Sequence, residues 1–163
     1  MPPAPLPLPP PAPPPASCAG ADAVPTASNL ALVRAAALCL VNAERARYGV
    51  APLADNTQLA SAAGSHASDM TANRYFSHVS ADGRTFDQRI RASGYLGSYL
   101  AENIAWGGGS LGTPRRVVSG WMNSAGHRAN ILNGLLVHSG IGVSRGTPEG
   151  GNGGTYVHDF GAP

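Results

Sequence analysis

The sequence predicts an α+β domain in which helices cover an antiparallel sheet. Two observations lead there. Between Asn29 and Gly126 apolar residues recur mostly at helical spacing, whereas the tail from His138 onward consists of short β-rich runs divided by a glycine-rich turn. Helices first and strands last is the order of a domain with segregated layers. A third observation sets the size: residues 1–28 are compositionally unlike the rest, which leaves 29–163, about 135 residues, for one domain.

In chain order, Leu30, Val33, Ala37, Leu40 and Val41 lie on one helical stripe, with Ser28 or Asn29 as cap and Gly49 and Pro52 as the stop. Asn56 to Asn73 repeats the pattern through Leu59, Ala62, Ala63, His66 and Met70. Gly64 weakens that helix by about 1 kcal/mol relative to Ala. A short third helix follows from a cap at Thr85, Phe86 and Ile90 one turn apart, and Gly94 as terminator. A fourth starts at the Thr113 cap with Pro114 at its first position, buries Val117, Val118, Trp121 and Met122, and ends near Gly126. Strands are expected around Leu100–Ala105, in "HSGIGVSRG" and in "GTYVHDFGA", the last two forming a hairpin across "TPEGGNGG".

The segment "MPPAPLPLPPPAPPP" holds ten of the fifteen prolines. Such a density removes backbone donors and favours a solvated polyproline conformation, so residues 1–28 read as a spacer or a truncated export region. They lack the basic and apolar regions of a signal peptide, which places the true start upstream of Met1 or makes this a shortened chain. Apolar runs are too short to span a membrane. Cys18 and Cys39 are the only cysteines. A bridge between them would close a loop of about 20 residues and contribute about 3 kcal/mol in an oxidising compartment. The alternatives are a buried Cys39 with Cys18 an unpaired thiol, or a lipid on Cys18. Nine acidic residues against eleven arginines, with no lysine, give a formal charge of +2 and no electrostatic case for nucleic acid or an anionic membrane.

Three residues stand out by position: His78 in a loop after the second helix, Glu102 inside the apolar run "YLAENIAW", and His127 after Gly126. An ionised carboxylate in an apolar strand is costly unless paired or bound to a cation, so Glu102 requires a partner. Two imidazoles and a carboxylate suffice for a divalent metal with an open position, though this spacing matches no compact metal motif. The alternative is a buried hydrogen-bond network joining Glu102 to backbone or to His127. His66 reads as a hydrogen-bonded core histidine, His138 and His158 as packed or solvated, and Asp82-Gly83 as a turn. No serine sits in a strand-to-helix elbow, and "GGGS" at Gly107–Ser110 reads as a loop, not a phosphate cradle.

Six blocks, "LVNAERARYGVAPLADNTQLASAAGSHASDM", "YFSHVSADGRTFDQRIRASGY", "AENIAWG", "WMNSAGHRANILN", "GIGV" and "YVHDFG", together resemble the bacterial branch of the CAP superfamily, or SCP domains. The resemblance runs in order from Asn29 to Pro163. It implies a three-layer α-β-α sandwich with a central antiparallel sheet and a large cleft, in a secreted or cell-envelope protein. It also implies a cleft tetrad of two histidines and two glutamates able to bind a divalent metal such as zinc. His78, Glu102 and His127 match three tetrad positions; at the fourth, three residues after Trp121, this chain carries Ser124, an uncharged and weaker ligand. The expected function is non-enzymatic binding of a divalent cation or a small ligand, lipid or peptide, in that cleft. The alternatives are a metal-dependent hydrolase with Glu102 as ligand or general base, and an interaction module working through the loop Thr147–Gly154.

Overall fold

The structure, a computed structural model, describes residues 17–163. Residues 1–16, the larger part of the expected spacer, lie outside the described residues. In chain order the elements are α1 (Leu30–Arg47), β1 (Ala54–Asp55), α2 (Thr57–Ala72), α3 (Phe86–Ala92), β2 (Tyr99–Gly108), α4 (Pro114–Met122), α5 (Ala125–Ile131), β3 (His138–Arg145) and β4 (Gly153–Ala162). A single 3-10 turn, Gly109–Gly112, links β2 to α4 and takes up the end of the glycine loop.

The sheet order is β1-β3-β4-β2. β4 pairs antiparallel with both β2 and β3, as expected, while the two-residue β1, which the sequence did not suggest, joins β3 in parallel. Alternation along β4 divides two cores. Tyr156 and Phe160 pack with Leu40 and Val41 of α1, Val117 and Trp121 of α4, and Ile131 of α5. Val157 faces Ala63, Ala67 and Met70 of α2. The sheet is thereby covered on both sides, with α2 and α3 on one face and α1, α4 and α5 on the other.

The approach of α2 to the sheet explains Gly64. A Cβ on Gly142 of β3 would sit 2.1 Å from Gly64 N and 2.2 Å from the Ala63 carbonyl carbon, so helix and strand touch backbone to backbone. The glycine that weakens the isolated helix lies at this closest approach.

Thr85 and Thr113 cap their helices as expected, and Asn56 caps α2 as well. Asn56 Oδ1 accepts from the backbone N–H of Gln58 and Leu59, both at 3.0 Å. Gln88 reaches back to the Thr85 N–H at 3.1 Å, and Thr113 caps α4 with Pro114 behind it. The first helix differs: Asn29 makes no side-chain cap and instead accepts from the Thr26 N–H at 2.7 Å.

The fourth helix is a correction. It ends at Met122, not near Gly126, and a separate helix runs from Ala125 to Ile131. Ser124 breaks the run with extended backbone (φ −114, ψ 121). Gly126 lies within the first turn of α5 and terminates nothing. Arg45, only 1 % exposed, fastens the far end of α5: its guanidinium donates to the carbonyls of Ile131 (2.7 Å), Asn133 (3.1 Å), Leu136 (3.0 Å) and Ala51 (2.7 Å).

Cys18 and Cys39 form a disulfide, which removes the free-thiol and lipid readings of Cys18. The bridge lays residues 17–28 against the body. Ala21 is buried and its carbonyl accepts from the Arg115 N–H at 2.9 Å, while Asp22 takes two bonds from the Arg115 guanidinium at 2.7 and 3.0 Å. Ordered packing thus reaches back at least ten residues ahead of Asn29.

His158 of β4 is fully buried, stacked on Phe160 with ring centroids 3.7 Å apart and 2.8 Å from Ser139 Oγ. Burial, with a smaller contribution from the Arg45 charge, pushes its pKa from 6.5 down to about 3. The neutral ring belongs to the folded state, so this stability is complete above pH 6.5 and is lost as pH falls from there toward 3. Urea unfolding should therefore show wild-type protein losing about 2 kcal/mol between pH 7 and pH 5 on account of this one group, and His158→Gln should abolish that part of the slope.

Candidate functional site

Glu102 sits in β2 on the α2 side of the sheet, in register with Asp159 of β4. Its side chain is 1 % exposed. The partner that the sequence demanded is double. Oε1 accepts from His78 Nδ1 at 2.7 Å, and Oε2 accepts from Arg89 Nη2 at 2.5 Å.

Arg89 was missed by sequence reasoning. It lies in the buried part of α3 beside Ile90, and the only signal for it was the unmet charge of Glu102. Its Nη1 also donates to the His78 carbonyl (2.7 Å), Ser80 Oγ (3.0 Å) and the Arg84 carbonyl (3.1 Å). One guanidinium thus holds the carboxylate and shapes the loop that brings His78 to it. Asp69 ties the same loop from α2, accepting from Asn73 Nδ2 (2.6 Å), the Ala81 N–H (3.2 Å) and the Tyr75 hydroxyl.

Burial alone would raise the pKa of Glu102, but the His78 hydrogen bond and the Arg89 charge outweigh it and hold the carboxyl below its usual value. Asp159 moves the other way. It is fully buried, none of the described residues supplies a donor to its ionised oxygens, and burial plus the facing Glu102 charge push its pKa well up. The two carboxyls divide their roles as a coupled pair: Glu102 carries the charge and Asp159 keeps the proton.

His127 lies in the first turn of α5, its Nδ1 2.9 Å from Ser124 Oγ. Asn103, next to Glu102 in β2, donates to the His127 carbonyl at 3.0 Å and accepts from Asn130 at 2.9 Å, which anchors α5 to the sheet. His127 and Ser124 open onto a cleft of about 330 Å³ whose walls include Phe76, Trp106, Leu111 and Trp121. Burial, reinforced by the charge of His78, lowers the pKa of His127.

The four expected residues therefore fall into two pairs, His78–Glu102 and Ser124–His127. No hydrogen bond joins the pairs, and Glu102 does not reach the cleft surface. Among the described residues no three His, Cys, Asp or Glu side chains group as metal ligands. With one partner on each oxygen and a side chain only 1 % exposed, Glu102 acts on His78 and is screened from anything that enters from solvent. What remains available is one nitrogen on each imidazole: neither His78 Nε2 nor His127 Nε2 has a hydrogen-bond partner among the described residues. His66 is a buried core histidine bonded to the Ser77 carbonyl at 2.8 Å, and His138 pairs with the Tyr95 hydroxyl at 2.8 Å.

Arg89→Met should cost 3–5 kcal/mol in chemical denaturation, because it strands a buried charge. Adding Glu102→Gln to that variant should restore more than half of the loss. A double variant as unstable as Arg89→Met alone would show that the charge is not what Arg89 compensates.

With this geometry in place, comparison with known proteins identifies the architecture. Uncharacterized protein YkwD of Bacillus subtilis (strain 168) is 41 % identical over 104 residues, covering 63 % of this chain and 39 % of the relative. Uncharacterized membrane protein YlbC of the same organism is 37 % identical over 108 residues, covering 66 % and 30 %. The chain thus spans well under half the length of these relatives. Among solved structures, an extracellular protein containing an SCP domain from Bacillus anthracis str. Ames is similar at 28 % identity and TM-score 0.67, over 85 % of this chain and 44 % of that one. An outer surface protein from Borrelia burgdorferi shares the fold, at 23 % identity and TM-score 0.66, over 77 % of this chain and 88 % of that one. The CAP family, described as the cysteine-rich secretory protein family, matches from residue 38 to residue 160, and the chain belongs to it.

Proposed function

We propose that this CAP domain is an extracytoplasmic, non-catalytic binding module whose cleft takes a small ligand, lipid or peptide, with an apolar body and a polar head. The cleft carries the reading. Phe76 and Leu111 remain 45 % and 60 % exposed beside it, Trp106 and Trp121 line it, and the unpartnered Nε2 of His127 stands at its wall. Apolar walls with a few convergent polar groups are the ordinary make-up of a small-ligand site. The disulfide supports an oxidising compartment, as do the extracellular and outer-surface descriptions of structurally similar proteins.

The chemistry speaks against a hydrolase. Glu102 is shut away from the cleft at 1 % exposure, and its pairing with Arg89 and His78 holds its carboxyl below the usual range, both of which make it a poor general base. The hydroxyl–imidazole pair Ser124–His127 has no carboxylate orienting the other ring nitrogen among the described residues.

One observation favours a second reading, a divalent cation such as zinc. Both rings are held through Nδ1, His78 by Glu102 and His127 by Ser124, which leaves both Nε2 atoms outward, as a carboxylate behind a histidine does in metal sites. These residues fit an open, weak site: His78 and His127 would hold the ion, Glu102 would orient His78, and water would complete the shell.

Both tryptophans of the chain line the cleft, so their fluorescence reports on it directly. Titration with decanoic acid and decan-1-ol should give a saturable change in wild type that Leu111→Asp abolishes; no saturable change, or one that Leu111→Asp leaves intact, contradicts the cleft reading. In calorimetry with zinc chloride, His78→Ala and His127→Ala should each weaken uptake at least about tenfold, a step of 1.4 kcal/mol. Absence of zinc uptake by wild type removes the cation and leaves the cleft.

A further inference from the structure

A second concave surface lies along α4 and shares no residue with the cleft. α4 turns Val117 and Trp121 to the cleft, while Val118 and Met122, with Leu40 of α1, form part of the lining of a groove of about 390 Å³. Three guanidiniums border this groove: Arg47 from the end of α1, Arg115 from the start of α4, and Arg128 from α5.

Their partners are unequal. Arg115 is held by Asp22 through Nε and Nη2. Arg47 uses only Nη1, on Glu44 at 3.1 and 3.2 Å, which leaves its Nε and Nη2 open. Arg128 has no side-chain hydrogen bond or ion pair among the described residues, and residues 1–16 contain no acidic residue that could supply one. Of the other arginines, Arg45, Arg89, Arg34 and Arg84 are bonded, whereas Arg74, Arg91, Arg116 and Arg145 are as unpaired as Arg128 among the described residues; what sets this groove apart is that three guanidiniums border one apolar-floored cavity. Three guanidiniums against Glu44 and Asp22 leave this groove positive in a chain whose total formal charge is only +2.

We propose that the groove binds a phosphate group, with the apolar or sugar body that carries it lying over Leu40, Val118 and Met122. The choice of anion follows from the donors. One guanidinium fork donates two parallel hydrogen bonds, which engages both oxygens of a carboxylate. Arg47 and Arg128 offer two open forks to the same cavity, and a tetrahedral phosphate has oxygens enough for both. The exposed Tyr48, which lines the same groove, adds a hydroxyl donor. Glu44 sits close by and opposes any anion, but Arg47 offsets its charge and Arg115 and Arg128 keep the groove positive.

The test is an amide NMR titration of the full chain with inorganic phosphate and with sn-glycerol 3-phosphate, using acetate as comparator. Saturable shifts are expected at Arg47, Tyr48 and Arg128, weakened about tenfold by Arg128→Ala, the scale of one charge-assisted pair, and lost in Arg47→Ala/Arg128→Ala. Arg116→Ala, which removes an equally exposed arginine from the cleft side of α4, should leave binding unchanged. A second arm cosediments the protein with vesicles of phosphatidylglycerol or of phosphatidylcholine. Selective binding to phosphatidylglycerol that needs Arg47 and Arg128 identifies a lipid headgroup as the source of the phosphate, and binding of the soluble phosphates alone identifies a soluble ester. Binding in neither arm, acetate binding as tight as phosphate, retention in the double variant, or an equal loss in Arg116→Ala would each overturn the proposal. None of these outcomes depends on whether the cleft takes decanoic acid or zinc.

Discussion

The buried charge of Glu102 is the constraint around which the candidate site is arranged. A carboxylate with 1 % exposure cannot persist without compensation, and here the compensation is a guanidinium from α3 and an imidazole from the preceding loop. Because the guanidinium also collects the carbonyls of His78 and Arg84, the charge organises backbone as well as side chains. Asp159 completes the balance by keeping its proton, so two carboxyls can face each other across β2 and β4 with a single negative charge between them. The position of His78 is a consequence of this network, and so is the direction in which its second ring nitrogen points.

Helix α4 connects this network to the surfaces where binding is proposed. Its helical period sends Val117 and Trp121 one way and Val118 and Met122 the other, so one short element walls both the cleft and the arginine groove. Trp121 is also tied to the sheet, its Nε1–H donating to the Ile104 carbonyl at 3.2 Å. The N-terminal segment contributes from outside: the Cys18–Cys39 bridge sets Asp22 on Arg115, which fixes one border of the groove.

Local chemistry was legible in the sequence wherever it was self-contained. Thr85 and Thr113 cap the helices they were expected to cap, because a cap needs only residues within one turn. The three long strands follow from alternation and glycine punctuation. Position alone singled out His78, Glu102 and His127, the family resemblance added Ser124, and the pairings His78–Glu102 and Ser124–His127 came only with the structure. What stayed hidden depends on distant partners. Arg45 and Arg89 look like surface charges on amphipathic helices until the carbonyls of Ile131, Leu136 and His78 are placed beside them. The break at Ser124 was obscured by Gly126, which reads as a terminator but stands inside a new helix. Gly64 read as a weakness because its contact with Gly142 lies 78 positions away in the chain.

The central claim is that the buried Glu102 carboxylate, held by Arg89, fixes the tautomer of His78 and leaves its Nε2 outward. Side-chain nitrogen-15 NMR of the histidines, at a pH raised until the ring shifts stop changing, reads this directly. The expected result is that His78 carries its proton on Nδ1, with Nε2 showing the shift of a bare ring nitrogen, and that Arg89→Lys, which cannot serve the same acceptors, drives the ring toward the averaged shifts of free imidazole. A His78 ring protonated on Nε2 in the wild type, or averaged there as in Arg89→Lys, would contradict it.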